Sequence, residues 1–367
     1  MEQREVVIVG AGPAGSSCAW LLRRAGLDVL VVDRQPFPRD KTCAGWITPG
    51  VLQSVGVPVE EYRGSHLLEP IRAFRVGIIG GRAVDVAFDR PVSYGIRRSE
   101  FDHFLVQRCG AEFRPGAAVT SIRRDGARWI LDERVETPIL VGAGGHFCPV
   151  ARAINPRTGS EPAVVTTEAE VPADTSGTSQ TRPGVPEFYF SPDFRGYGWV
   201  LQKGTHVTVG IGRQDPHRLR DHAQAFLEFL HTQRRIPDVR SAAWRGHAYL
   251  LYGSGRRRIV DAGVVLVGDA AGCARPRSGE GIGPAVESGL LAAETIVEAR
   301  HDPSRDRLAA YPRRLEQVFG PARPWSIAAT YLPESTRNRL GRRLVGSRSF
   351  ARRVVVEQWF LRGAASA

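Results

Sequence analysis

Three glycines, Gly10, Gly12 and Gly15, separate the apolar run Val6 to Val9 from a stretch carrying Ala19, Leu22 and Ala25 at helical spacing, which Gly26 ends. A continuous apolar run bounded in this way reads as a parallel strand covered on both faces. A second such run, Val29 to Val32, closes on Asp33. In the order strand, glycine turn, helix, strand, backbone N–H groups at the helix start can approach a pyrophosphate, because no side chain intervenes. A carboxylate ending the second strand suits the hydroxyls of a ribose. Glycine turns alone are common; both strands and Asp33 in register make this a dinucleotide-binding start.

The kind of dinucleotide follows from "VLVGDAAGCARPRSGEGIGPAVESG" far downstream. Another apolar strand ends at Gly268 and Asp269, whose carboxylate can accept hydrogen bonds from a sugar-alcohol chain. A second glycine-lined helix start follows, Gly279 to Gly283. Its N–H groups and positive dipole end suit negative charge on a reduced isoalloxazine ring.

Between these sites, "RSEFDHFLVQRCG" reads as a helix with Ser99 as N-cap and Gly110 as its stop. "AAVTSIRRDGARWILDE" reads as a hairpin with an Asp-Gly turn. From about Ala163 to Gly253 strands alternate with turns around one helix near "DHAQAFLEFLHTQRR". The predicted fold is α/β: a Rossmann-like domain of the glutathione-reductase-2 type, an inserted mixed β-sheet domain and a helical C-terminal tail. The expected boundaries are 1–70, 96–160 and 255–330 for the first domain, 71–95 and 161–254 for the second, and 331–367 for the basic tail.

Composition excludes several classes. Five cysteines lack any C-x-x-C pair, which suits reduced thiols and no metal site. Nine scattered histidines include no H-E-x-x-H, and no G-x-S-x-G elbow is present. The net charge of +12 is carried almost wholly by arginine, which stands where lysine is usual, and is joined to no nucleic-acid motif, so no nucleic-acid partner is expected. No apolar run reaches membrane-spanning length, and "REVVIVG" starts a strand near the first residue; a cytoplasmic location is the expectation.

"VGAGPAG", "KTCAGW", "YGIRRSEFD", "GYGW" and "GDAAGCARPRSGEGIGPAVESG" together resemble the geranylgeranyl reductase family, within the flavoproteins that include p-hydroxybenzoate hydroxylase. The resemblance runs from about Val6 to Thr330. It implies noncovalently bound FAD, with Gly10, Gly12, Ala14 and Gly15 along the pyrophosphate and Asp33 at the adenosine ribose. It also implies cofactor contacts by Arg98 and by the Val119 backbone, with Asp269 at the ribityl chain and Gly281 and Ile282 near the flavin ring. "CAGW" matches a segment that passes the isoalloxazine, so Ala44 and Gly45 are expected beside it.

The same segment holds Lys41, Cys43 and Trp46. Lys41 reads either as a steering charge for phosphate or a nicotinamide cofactor, or as a plain surface charge. Cys43 reads either as a proton donor or as a small apolar residue. Tyr197 and Trp199 match the family's cavity-lining strand; spacing by two also fits core aromatics on one strand face. Leu201 and Gln202 stand where the family has Phe and Pro, which puts the usual isoprenoid substrate in question.

The implied reaction is reduction of a carbon–carbon double bond in an apolar, isoprenoid or polyketide-like substrate, by hydride from flavin N5. Cys43, Trp46, Tyr197 and Trp199 are the candidate catalytic-cavity residues. A flavin monooxygenase acting on a small or aromatic substrate is the alternative enzyme, and a flavin-binding redox sensor the alternative outside enzymes. Gly144-Gly145 replaces the Asp-Gly of related hydroxylases, so the electron donor is left open between NAD(P)H and an electron-donor protein. In the tail, arginines alternate with Leu340, Leu344, Val345 and Phe350. The preferred reading is helices packed on the body with a solvated basic face; peripheral contact with an anionic membrane is the alternative.

Overall fold

A computed structural model describes residues 1–156, 161–174, 177, 179–239, 242–255, 257–322 and 333–361. The expected domain ends at 160 and 330, part of the tail, and the end of the family resemblance at Thr330 fall outside that set. The chain forms two compact units. The first comprises Met1–Asp40, Arg98–Pro162 and Tyr249–Trp325, and the second Lys41–Arg97, Ala163–Ala248 and Ser326–Ala367.

The first unit carries a six-stranded sheet in the order Val260–Asp261, Val264–Leu266, Ile139–Gly142, Val6–Val9, Val29–Asp33, Glu112–Pro115. All neighbours are parallel except the first two. Both faces are covered, which is why these strands lack polar alternation. Val6, Ile8, Val29 and Val31 pack with Ala19 and Leu22 of the helix Pro13–Arg24 and with Ala292 and Ile296 of the helix Ile282–Glu298. Val7, Val9, Leu30 and Val32 pack instead with Val150 and Ile154 of the short helix Pro149–Ile154. The two long helices approach closely through a glycine: a Cβ on Gly289 would lie 2.3 Å from the Ala14 carbonyl oxygen.

A small second sheet in this unit contains the expected hairpin, with Asp125 opposite Arg128 and Gly126 at φ +55°. The helix over "RSEFDHFLVQR" spans Arg98–Arg108, so Ser99 lies inside it and does not precede it as a cap.

The second unit is built on a seven-stranded sheet, in the order Arg245–Tyr249, Val164–Pro172, His206–Arg213, Gly196–Lys203, Glu187–Phe190, Ala73–Ile78, Ala83–Ala87. The strand Glu187–Phe190 runs parallel to Ala73–Ile78 within otherwise antiparallel neighbours, which gives the sheet its mixed character. The helix Leu219–Thr232 covers one face, where Phe226 and Leu230 meet Val200, Val207 and Val209. Trp199 and Leu201 turn to the other face, with Trp46, Phe74, Phe188 and Phe360.

The domain boundaries differ from the expected ones. Residues 41–70 and 96–97 were expected in the first domain, and 331–367 as a separate segment. A three-stranded sheet, Trp46–Ile47, Ser93–Gly95, Glu69–Ile71, instead ties the "KTCAGW" segment to residues of the second unit. Val355, Val356 and Phe360 of the tail are buried in that unit's aromatic core. The tail therefore divides: the segment Ala351–Phe360 packs inward, while the helix Glu334–Val345 is buried only at Val345 and exposes Leu340 and Leu344. Among the described residues no helix is long and apolar enough to cross a membrane.

Candidate functional site

The glycine turn of the first unit is shaped by contacts that no side chain could share. Gly10 sits at φ +115°, and a Cβ there would lie 2.3 Å from the Ala143 carbonyl oxygen. One on Gly15 would lie 1.9 Å from the Gly10 carbonyl oxygen. Gly12 is different, since its Cβ position meets only Arg39 Nη2 at 3.6 Å. It caps the helix Pro13–Arg24 without any side-chain hydrogen bond, so no side chain caps the positive end of the helix.

Asp33 is buried and already engaged: Oδ2 accepts from the Ala11 N–H at 2.8 Å and Oδ1 from the Gln35 N–H at 2.9 Å. Each oxygen keeps a further lone pair. Ala14 is buried at the helix–helix contact, where a Cβ on Gly268 would approach its own at 3.0 Å.

Arg98 grips Asp102 through two bonds of 2.9 Å, and Arg39 approaches the same carboxylate at 3.3 Å. Asp102 is fully buried, so two guanidinium groups share one carboxylate and a net positive charge remains. With Arg39 Nη2 standing over Gly12, that charge lies at the mouth of the glycine turn. Arg39 was missing from the expected residues. Its proximity to Gly12 depends on how the 34–40 loop folds back, which no local pattern encodes.

Downstream in the same unit, Gly268 takes φ +58° in a short helical turn Gly268–Ala270, and its N–H donates to Ser288 Oγ at 2.9 Å. Gly281 caps the helix Ile282–Glu298, and its empty Cβ position lies 3.7 Å from Asp269 Oδ1. The structure thus brings Asp269, Gly281 and the buried Ile282 together around one helix start. Val119 lies in the irregular stretch between the strands Glu112–Pro115 and Ile122–Asp125, half-buried against the second face of the parallel sheet. Cys273 is buried, which pushes its thiol up to about 12 and keeps it unreactive.

Lys41, Cys43, Ala44 and Gly45 belong to the second unit, where all but the buried Gly45 are partly exposed. The Cys43 N–H donates to Glu168 Oε1 at 2.8 Å, and the Gly45 N–H to Cys43 Sγ at 3.4 Å. Lys203 Nζ donates to the Ala44 carbonyl at 2.9 Å and pairs with Glu170 at 3.3 Å. Gly45, at φ +70°, leaves room for this lysine, because a Cβ there would lie 2.3 Å from Nζ. Trp46, Tyr197 and Trp199 sit in the aromatic core of the unit, with Trp46 and Trp199 buried and Tyr197 half-buried. Tyr197 and Trp46 both meet Phe360, at 5.9 and 5.7 Å between centroids.

Trp199 also reaches across the sheet. Glu168, Gly210 and Trp199 stand side by side on three neighbouring strands. A Cβ on Gly210 would lie 2.4 Å from Trp199 Cζ2, so the indole lies over the bare glycine and donates from Nε1 to Glu168 Oε2 at 3.2 Å. Burial raises the Glu168 carboxyl to about 7, against the opposing pull of Lys203 and the two N–H groups. Its contribution to stability is therefore present below about 4.5 and lost as pH rises through about 7.

Glu168 and Lys203 were also missing from the expected residues. A faint signal exists in two glutamates spaced by two on the strand "VVTTEAEVP", and in Lys203 being one of two lysines in the chain. Among the described residues no group of His, Cys, Asp and Glu could hold a metal ion.

The residues present fit a bound dinucleotide, since the bare Gly12 helix start faces the Arg39 guanidinium, which suits a phosphate, and the bare Gly281 helix start faces the Asp269 carboxylate, which suits a sugar chain. Residues 3–319 match the FAD binding domain family. The chain is 30% identical to menaquinone reductase of Mycobacterium tuberculosis, over 89% of this chain and 83% of that protein. It is also 30% identical to geranylgeranyl diphosphate reductase of Rhodobacter capsulatus, over 80% of this chain and 75% of that protein. A crystal structure of a geranylgeranyl bacteriochlorophyll reductase-like protein from Thermoplasma acidophilum shares the fold, with a TM-score of 0.76, 19% identity, and coverage of 98% of this chain and 97% of that one.

Proposed function

We propose that this chain, which belongs to the FAD binding domain family and within it to the geranylgeranyl reductase group of oxidoreductases, reduces a carbon–carbon double bond of an apolar isoprenoid substrate. When bound, FAD supplies the hydride. The chain's own residues do the rest. Gly10, Gly12 and Gly15 admit the pyrophosphate, with the helix dipole and Arg39 neutralising its charge. Asp33 meets the adenosine ribose and the Val119 backbone the adenine. Arg98 acts on the cofactor through the carboxylate it shares with Arg39, and Ala14 through helix packing. Asp269 would hold the ribityl chain, and the N–H groups at Gly281 and Ile282 would stabilise charge on the ring.

The observation that supports an apolar substrate best lies in the second unit, where the Cys43–Gly45 turn runs directly into an aromatic cluster of Trp46, Tyr197, Trp199 and Phe188. Such a cluster would exclude water and offer an isoprenoid chain mainly apolar and aromatic contacts. Lys41, beside the turn, would steer the phosphate of a cofactor or substrate. The exposed Leu340 and Leu344, among the arginines of the tail helix, form the surface a peripheral membrane contact would use. The electron donor would be NAD(P)H or a donor protein.

Comparison of lipid extracts from the host with and without this gene tests the reading by mass spectrometry. The deletion strain is expected to accumulate a compound two hydrogens lighter, for each double bond, than the normal product. A precursor that lacks one oxygen would overturn the reductase reading in favour of hydroxylation. Identical extracts would count against both.

A further inference from the structure

Among the buried carboxylates of the described residues, Asp102 is matched by the guanidinium groups of Arg98 and Arg39, and Glu187 by that of Arg235. Asp33 is held by the N–H groups of Ala11 and Gln35, on its own glycine turn and loop. Glu168 is likewise held by two neutral N–H groups, one on the Cys43 backbone and one on the Trp199 indole. Those donors sit on separate pieces of the second unit, the turn before Trp46 and a central strand of the large sheet. A single side chain thus couples the "CAGW" turn to the aromatic wall.

We propose that Glu168 is the positioning residue of the Cys43–Gly45 turn: as a carboxylate it holds the Cys43 N–H and the Trp199 N–H together, and as a neutral acid it releases one of them. The chemistry is that of the acceptor. A carboxylate accepts strongly at both oxygens, whereas the neutral acid carries a hydrogen on one, and that hydroxyl oxygen is a much weaker acceptor for its N–H. Burial brings the group to about 7, so both forms are present near neutral pH. The inference deepens the reductase reading and rests on it for one point, that this turn borders the substrate.

The groups that set the balance are few. On the Gly196–Lys203 strand, Lys203 favours the charged form. Glu170, two residues along Glu168's own strand, disfavours it. Glu170 is itself held low despite burial, by Lys203 and Arg97 with a smaller pull from His206. The strand His206–Arg213 presents Gly210 at this level and no charge. The flanking strand Arg245–Tyr249 meets Thr166 through the His247 carbonyl. Cys43 is the titratable group on the turn, and Lys203 pins the turn's next carbonyl, at Ala44.

Cys43 provides the readout, because it is half-exposed while the other four cysteines are buried. The full FAD-loaded chain is treated with iodoacetamide across a pH series, and alkylation of Cys43 is followed by mass spectrometry. The ratio between variant and wild type at each pH divides out the shared rise with thiol ionisation. At about pH 8, Glu168→Gln is expected to react about tenfold faster, the loss of one buried hydrogen bond. At about pH 6 the two rates should converge, because wild-type Glu168 is then neutral and resembles the amide. A ratio that stays constant with pH would overturn the proposal.

Two further variants keep the test open if Glu168→Gln folds poorly. Trp199→Phe removes one donor to the carboxylate and should move the pH of convergence upward. Glu170→Gln removes a like charge and should move it downward. A merely structural role predicts neither shift, and an unchanged midpoint in both would sink the idea.

Turnover is measured separately, with geranylgeranyl diphosphate as probe and chemically reduced flavin. At about pH 8, Glu168→Gln should lower kcat about tenfold, again one buried hydrogen bond, with KM nearly unchanged. Retention of full kcat would remove the turn's positioning from the reaction. If the wild type itself does not reduce this probe or a long-chain menaquinone, the reductase reading fails, while the labelling result still decides the role of Glu168 in holding the turn.

Discussion

Gly15→Ala is expected to yield a chain that no longer retains FAD through gel filtration. The added methyl would lie 1.9 Å from the Gly10 carbonyl oxygen, which is backbone on the same tight turn. Relief requires either Gly10 or the start of the helix to move. Gly10 is itself confined by the Ala143 carbonyl, and the helix start by the close approach of Gly289 to the Ala14 carbonyl. Overpacking of this kind costs about 1–3 kcal/mol or more, and the distortion falls on the N–H groups meant for the pyrophosphate. The flavin absorbance of the purified protein, relative to its absorbance at 280 nm, checks this, with circular dichroism to confirm that the chain is folded. Gly12→Ala gives the contrast. Its methyl meets only Arg39 Nη2 at 3.6 Å, so thermal stability of the apo chain should hold while FAD affinity falls. Full FAD occupancy in Gly15→Ala would contradict the assignment of this turn.

Arg98→Met should produce a comparably large effect on stability. The substitution keeps the apolar stem but leaves the fully buried Asp102 with only the 3.3 Å approach of Arg39. Removing one partner of a buried ion pair costs about 3–5 kcal/mol, because the remaining charge has lost its solvation and its hydrogen bonds. Urea unfolding of the apo chain measures it as a lowered midpoint at unchanged slope. Arg98→Met combined with Asp102→Leu should recover only part of the loss, since the stranded carboxylate is gone but the largely buried Arg39 guanidinium has lost its partner and keeps its stacking on Phe37. A loss below about 1 kcal/mol would mean that water reaches this carboxylate, as at an exposed pair.

Much of the first unit was legible in advance because its determinants are local. Val6 to Val9 and Val29 to Val32 are apolar at every position, and alternate residues do face the two layers that such strands require. Gly10 and Gly268 mark backbone angles or contacts open only to glycine. Trp46 and Trp199 were noticed as a pair of motifs, yet their spacing could not distinguish a cavity wall from a core. The domain boundary at Asp40 was not readable either. The strand Trp46–Ile47 joins the second unit by pairing with Gly95 and Tyr94, some fifty positions away.

By itself the sequence determined the class of fold, the glycine-lined helix starts after apolar strands, and with them a cofactor of the flavin dinucleotide kind. Those features depend on side-chain period and on φ angles, which neighbouring residues impose. Only the tertiary structure placed Arg39 over Gly12, laid the Trp199 indole across Gly210 onto Glu168, and buried Phe360 of the tail against Trp46 and Tyr197. Each of these joins residues that no periodicity relates. The burial that lifts Glu168 to about 7 exists only after three strands and a turn have closed around it.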